Sequence, residues 1–196
     1  MHKTFLIVGL ACGLAASAVQ AGPPLARDDA LKLMGRPGSW IEVDGSLLPD
    51  GTFSAKEVEI YAPGDTASIE ESAIYGPVQN LNRAKSTMRV LNYTILYDSQ
   101  TTLKDENKRQ ILSSKIQNEM GVKVQGSVQP NNTFKATKIK LQKVRLKDGK
   151  PKPKESLFGP VSIVDARAGL LRILNTSVQL REDATIIEAV PDVGSR

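Results

Sequence analysis

The side chains that most often do chemistry are nearly missing from this 196-residue chain, which holds one histidine, His2, and one cysteine, Cys12. A dense basic run is the strongest remaining feature: Lys138, Lys140, Lys143, Arg145, Lys147, Lys150, Lys152 and Lys154 stand against a single acid, Asp148. Cations at that density suit an anionic partner such as lipid head groups, lipopolysaccharide or an acidic polymer. A solvated strand face running into a linker accounts for the same run. Ile139, Leu141, Val144 and Leu146 form a rough buried side opposite the lysines, and 148–153 has a linker's composition.

Carboxylates form a smaller group, Glu57, Glu59, Asp65, Glu70 and Glu71. Calcium takes about six to eight oxygens, usually from a D-x-D-x-D-G type of spacing. That spacing does not occur here, so the acids read as surface charge, free to face the basic run within the molecule or across a dimer.

The first twenty-one residues have the pattern of a secretory signal. Lys3 supplies the positive end, Phe5 to Ala16 is an apolar run, and small residues offer cleavage after Ala18 or after Ala21. The run is short of the roughly 20 residues a spanning helix needs. The positions before Cys12, Gly9-Leu10-Ala11, lack the leucine of a lipoprotein signal. The expected location is therefore the periplasm or the outside, and cleavage would remove His2 and Cys12. The mature chain would then have no disulfide, no thiol nucleophile, and no Cys- or His-ligated metal site. Ser-His-Asp and Cys-His hydrolases are excluded, and the expectation is a protein that is not an enzyme and carries no cofactor. Carboxylate-only chemistry, at Asp44 or Glu57, is the weakest surviving alternative. Nine aromatics in the whole chain (one Trp, four Tyr, four Phe) argue against a groove for single-stranded nucleic acid.

Behind these residues stands an internal repeat. Residues 41–60 (IEVDGSLLPDGTFSAKEVEI) align with 122–141 (VKVQGSVQPNNTFKATKIKL) at an offset of 81, without a gap. Gly45/Gly126, Pro49/Pro130, Phe53/Phe134 and Ala55/Ala136 are identical, and the alternating apolar positions match in kind. This first motif reads as a hairpin, with Pro-Asp-Gly or Pro-Asn-Asn at the turn. A second pair, 76–103 and 159–186, aligns at an offset of 83 and shares Gly76/Gly159, Pro77/Pro160, Leu91/Leu174 and Asn92/Asn175. It reads as three short strands, with the asparagines at the bend. Trp40 precedes the first hairpin where the second copy has Gly121, so the tryptophan serves either local packing or a partner.

Helices are expected at Leu25–Met34 and Asp105–Met120, where Ile111, Leu112, Ile116 and Met120 recur at helical spacing. The expected fold class is mainly β: two OB-like small barrels, each with one short helix. The continuous barrel spans 74–143. The other is circularly permuted, built from 25–62 and 157–188, with 147–155 as a basic linker after the signal at 1–21.

The pattern resembles an exported bacterial family labelled domain of unknown function 5666. The likeness rests on Gly76, Val78, Thr102, the stretch Val122-Lys123-Val124-Gln125-Gly126, and Ala136-Thr137-Lys138-Ile139. The first hairpin is also similar to that of the periplasmic OB-fold haem chaperone through Gly45, Leu47, Asp50, Gly51, Phe53, Ala55 and Val58. The chaperone's haem-attaching histidine has no counterpart, so this likeness implies fold and not haem delivery. The expected function is a non-enzymatic envelope protein whose barrels bind a partner or ligand. The alternative is binding of an anionic polymer or membrane surface through 138–154. Trp40, Lys138, Lys140, Lys143, Arg145, Lys147, Lys150, Lys152 and Lys154 are the candidate contact residues.

Overall fold

Period-two alternation puts Ile41 and Val43 on one side of a strand and Glu42 and Asp44 on the other, and the structure follows it: the first pair is fully buried and the second half-exposed. The computed structural model describes residues 20–61, 63, 71–143, 145–147 and 150–190. In chain order these form β1 (Gln20–Pro24), α1 (Arg27–Met34), β2 (Trp40–Leu47), β3 (Phe53–Tyr61), β4 (Ser72–Asn82), β5 (Thr87–Val90), β6 (Tyr93–Leu96) and β7 (Thr102–Lys104). A single 3-10 turn at Ser113–Lys115 precedes β8 (Gly121–Gln129), β9 (Thr133–Leu141), β10 (Arg145–Lys147), β11 (Lys150–Lys152), β12 (Ser156–Asp165), β13 (Leu170–Ile173) and β14 (Thr176–Val190). The molecule is mainly β, as its repeats require.

The strands β4, β5, β6, β9 and β8 pair in that order and close on themselves as a five-stranded barrel. All of its pairings are antiparallel except β6 with β9. The N-terminal hairpin does not join this ring. β2 pairs with β12, setting Ile41 opposite Gly159, and β3 pairs in parallel with β14, setting Ala55 beside Leu180. With β12–β13 and β13–β14, the same cyclic pattern of pairing recurs between the two ends of the chain. β1 adds to the edge of β14. α1 begins with Asp28 and Asp29, whose charge suits a helix N-terminus, and it buries Ala30, Leu31 and Met34 against the sheet.

The shared glycines have physical reasons. At Gly45 and Gly126 the ladder register slips, and an added Cβ would lie 1.9 Å from the Ser54 carbonyl oxygen or 2.0 Å from that of Lys135. Both are β-bulges in which two backbones nearly touch. At Gly76 and Gly159 the space belongs to Leu91 and Leu174, each of which holds a left-handed backbone (φ 53° and 51°) at the turn and tucks its side chain over the glycine. The turn's unusual angles thus fall first on leucine, although Asn175 shares them (φ 69°).

The expected helix over Asp105–Met120 does not form. Asp105 instead caps a local turn, its carboxylate accepting from the Asn107 and Arg109 amides, and the Ile111 amide bonds back to the Leu103 carbonyl. Short polar residues that bond the nearby backbone compete with a helix here. Only Ile116 of the four apolar residues is fully buried, while Leu112 is 74% exposed. The segment expected as a linker, 147–155, carries a short ladder in which Leu146 faces Pro151 and Lys147 faces Lys150.

Candidate functional site

The interiors of both sets of strands are filled. Ile41, Val43, Phe53, Ile60, Leu157 and Ile173 in one, and Val78, Tyr93, Ile95, Val124 and Phe134 in the other, are completely buried. An open depression of about 350 Å³ lies at the rim, lined by Asp105, Arg109, Met120 and Gln142 among others. Charged side chains gather on the outer faces.

One such face is continuous. β12 and β4 pair antiparallel, Ser156 opposite Tyr75 and Phe158 opposite Ala73, and so join the two groups of strands edge to edge. Reading across the registers, one row runs Glu59, Glu42, Phe158, Ala73, Gln125, Lys138. The adjacent row runs Glu57, Asp44, Ser156, Tyr75, Lys123, Lys140. Four carboxylates occupy one end, three ammonium groups the other, and aromatic rings the middle. Trp40 and Tyr61 pack on Phe158 with ring centroids 5.3 Å and 5.4 Å apart.

Lys154 approaches this face from the strand entry of β12. Its ammonium donates to Glu42 Oε1 and lies equally close to Asp44 Oδ2, both at 2.9 Å, and stands 5.2 Å above the Tyr75 ring. Lys123 stands over the same ring at 4.8 Å. The Ser156 hydroxyl donates to Glu42 Oε1 as well. Burial raises the pKa of Asp44, and nearby Glu42 adds to the rise; Lys154 opposes it without reversing it. Glu59 is raised by burial and by Glu42. Burial works against the Lys154 ammonium, but Glu42 and Asp44 outweigh it and hold its pKa above the usual lysine value.

A second junction binds the two groups of strands. The buried Tyr93 hydroxyl donates to the Leu174 carbonyl and meets the Thr176 hydroxyl at 2.6 Å, while the Asn92 amide donates to Thr176 at 3.1 Å. Burial pushes the Tyr93 phenol up to about 12. Tyr93 and Thr176 are equivalent positions in the repeat, as are Tyr75 and Phe158, so the two junctions share one local two-fold relation.

The candidate residues separate accordingly. Lys138 and Lys140 lie on the outer face of β9, and Lys143 is exposed beyond its end. Arg145, Lys147, Lys150 and Lys152 belong to the β10–β11 ladder. Lys154 is 36% exposed and engaged by two carboxylates, so it is not part of a free basic surface. Trp40 is half-buried in the aromatic cluster. Of the acids expected near the first hairpin, Asp65 and Glu70 lie outside the described residues, as do residues 1–19 of the expected signal. Among the described residues no group of three or more acid, histidine or cysteine side chains is arranged to hold a metal, and no helix is long and apolar enough to cross a membrane. Sequence reasoning missed Tyr75, Tyr93, Phe158 and Ser156. Tyr75, Phe158 and Ser156 depend on pairing between β4 and β12, and Tyr93 on the turn at Leu174–Thr176, each more than eighty positions away.

A family model described as "Domain of unknown function (DUF5666)" matches residues 26–59 and 75–140, just over half of the chain. The chain belongs to that family. The match covers α1, β2 and β3, then β4 (from Tyr75) to β9. Family segment 26–59 is thus completed in space by β12–β14, which lie outside the match. No curated protein and no solved structure matches the chain.

Proposed function

We propose that the protein is a non-enzymatic, exported envelope protein whose two OB-type barrels, the second circularly permuted, bind a partner or ligand on their outer surface. The filled interiors carry this reading. With Ile41, Phe53, Val124 and Phe134 at zero exposure, contact has to be made on faces and rims. Export rests on the pattern of the first twenty-one residues. Cleavage after Ala18 leaves β1 whole, whereas cleavage after Ala21 removes two of its five residues. N-terminal sequencing of the protein from a periplasmic fraction tests export. A start at Val19 or Gly22 is expected, and a cytoplasmic chain keeping its first residues contradicts it.

A second reading, an anionic polymer or membrane surface as the partner, is favoured by Lys138, Lys140 and Lys143. They follow one another along and beyond the outer side of β9, leading into the basic β10–β11 ladder. Vesicles with and without anionic lipid, and lipopolysaccharide, test it. Binding that weakens with salt and is lost on Lys138→Glu with Lys140→Glu and Lys143→Glu is expected. Binding unchanged by that triple reversal, or absent from both anionic surfaces, contradicts this reading.

A further inference from the structure

The two hairpins present the same interior to whatever strands they pair with. Ile41/Val122, Val43/Val124, Phe53/Phe134, Ala55/Ala136 and Val58/Ile139 match, and all ten are buried. The three-strand segments match as well, from Gly76/Gly159 to Leu91/Leu174. Apolar packing therefore leaves two arrangements nearly equal. In the observed one, β2–β3 pairs with β12–β14, and β8–β9 with β4–β6. In the other, each hairpin would pair with the three strands that follow it in sequence. That arrangement needs fewer long-range contacts for the first hairpin, so it forms more readily during folding. Something outside the core has to exclude it.

The outer faces differ most consistently in sign, although Asp44 is matched by the neutral Gln125. Glu42 becomes Lys123, Glu57 becomes Lys138 and Glu59 becomes Lys140 at the offset of 81. The residue leading into the three strands inverts too: Lys154, before β12, corresponds at the offset of 83 to Glu71, before β4. In the observed arrangement Lys154 sits between Glu42 and Asp44 at 2.9 Å from each. In the sequential arrangement Glu71 would take that place, setting a third carboxylate against two others.

We propose that these inverted charges are a pairing code that directs each hairpin to its non-sequential partner strands and rejects the sequential ones. A partly exposed ion pair adds little to stability by itself. Its weight here is the difference between attraction in one arrangement and repulsion in the other, which is how charge confers specificity on paired elements. The exchange of sign between copies, with the interior retained, is what such selection leaves behind.

Refolding from denaturant tests the code, with the fraction of chains showing β2–β12 amide signals as the readout. Lys154→Met keeps the aliphatic stem and removes the charge, and Lys154→Glu with Glu71→Lys inverts it. The inverted pair is expected to recover about fivefold less native pairing than Lys154→Met. Adding Glu42→Lys, Asp44→Gln and Lys123→Glu to the inverted pair restores matched signs at both carboxylate positions and is expected to restore recovery. Recovery from the inverted pair equal to that of Lys154→Met overturns the proposal. So does a fivefold exchange that recovers no better than the inverted pair.

Discussion

In hairpin β2–β3 the inward side chains are Ile41, Val43, Phe53, Ala55, Val58 and Ile60, and the outward ones include Glu42, Asp44, Glu57 and Glu59. In hairpin β8–β9 the inward set is Val122, Val124, Phe134, Ala136, Ile139 and Leu141, but the outward residues are Lys123, Gln125, Lys138 and Lys140. Both hairpins bulge at a glycine at the same place. The difference teaches that the barrel constrains volume and backbone while leaving sign free. In this molecule sign then varies in one consistent direction, across a single face.

The likeness of the two hairpins is most open to attack at the bulges. Gly45→Ala and Gly126→Ala each place a Cβ about 2 Å from a carbonyl oxygen, a clash with backbone that no side chain can relieve. Each is expected to cost about 3 kcal/mol or more in denaturant unfolding. Tolerance of either would mean that the copies are not built alike.

The leucine-filled glycines distinguish the copies by degree. A Cβ at Gly159 meets Leu174 Cδ2 at 2.7 Å, whereas one at Gly76 meets Leu91 Cδ2 at 3.1 Å. Gly159→Ala is expected to cost about 2 kcal/mol and Gly76→Ala about 1, measured in the same way. Tyr93→Phe removes the bonds to Leu174 and Thr176 that tie the two groups of strands, with an expected loss of about 1 kcal/mol.

Much of this was legible from residue types. Gly45, Gly126 and the Pro-Asp-Gly turn mark the hairpins, and alternation names their buried faces. The helix expected over Asp105–Met120 fails because four apolar residues at helical spacing say nothing about the Asx turn at Asp105 that competes for the same backbone. Lys154 is indistinguishable in sequence from its basic neighbours because its carboxylate partners lie more than a hundred positions away, where no local pattern points. Tyr93 carries no signal of its own in the sequence; only the turn packed against it makes its hydroxyl matter.

The smallest expected effect is electrostatic. Asp44 and Glu59 have raised pKa values beside Glu42, Glu57, Lys154, Ser156 and Tyr61, whereas the second copy has Gln125 and Lys140 in their places. A carboxylate raised in the folded state contributes stability that is complete below its unfolded pKa and is lost as pH rises through the folded value. The stability owed to these two groups should therefore fall as pH rises above the ordinary carboxylate range, about 4. Asp44 Oδ1 is buried without a hydrogen-bond partner among the described residues, so Asp44→Asn should change stability at neutral pH by less than about 1 kcal/mol. That variant should flatten the decline, as thermal melts at stepped pH would show. An unaltered slope would place the titration elsewhere.

The central claim is that the N-terminal hairpin is completed by the C-terminal strands. Cross-strand nuclear Overhauser effects in the folded protein test it most directly. Contacts from Val43 to Leu157 and from Ala55 to Leu180 are expected. Contacts from Val43 and Ala55 to β4–β6, with none to β12 or β14, would contradict it.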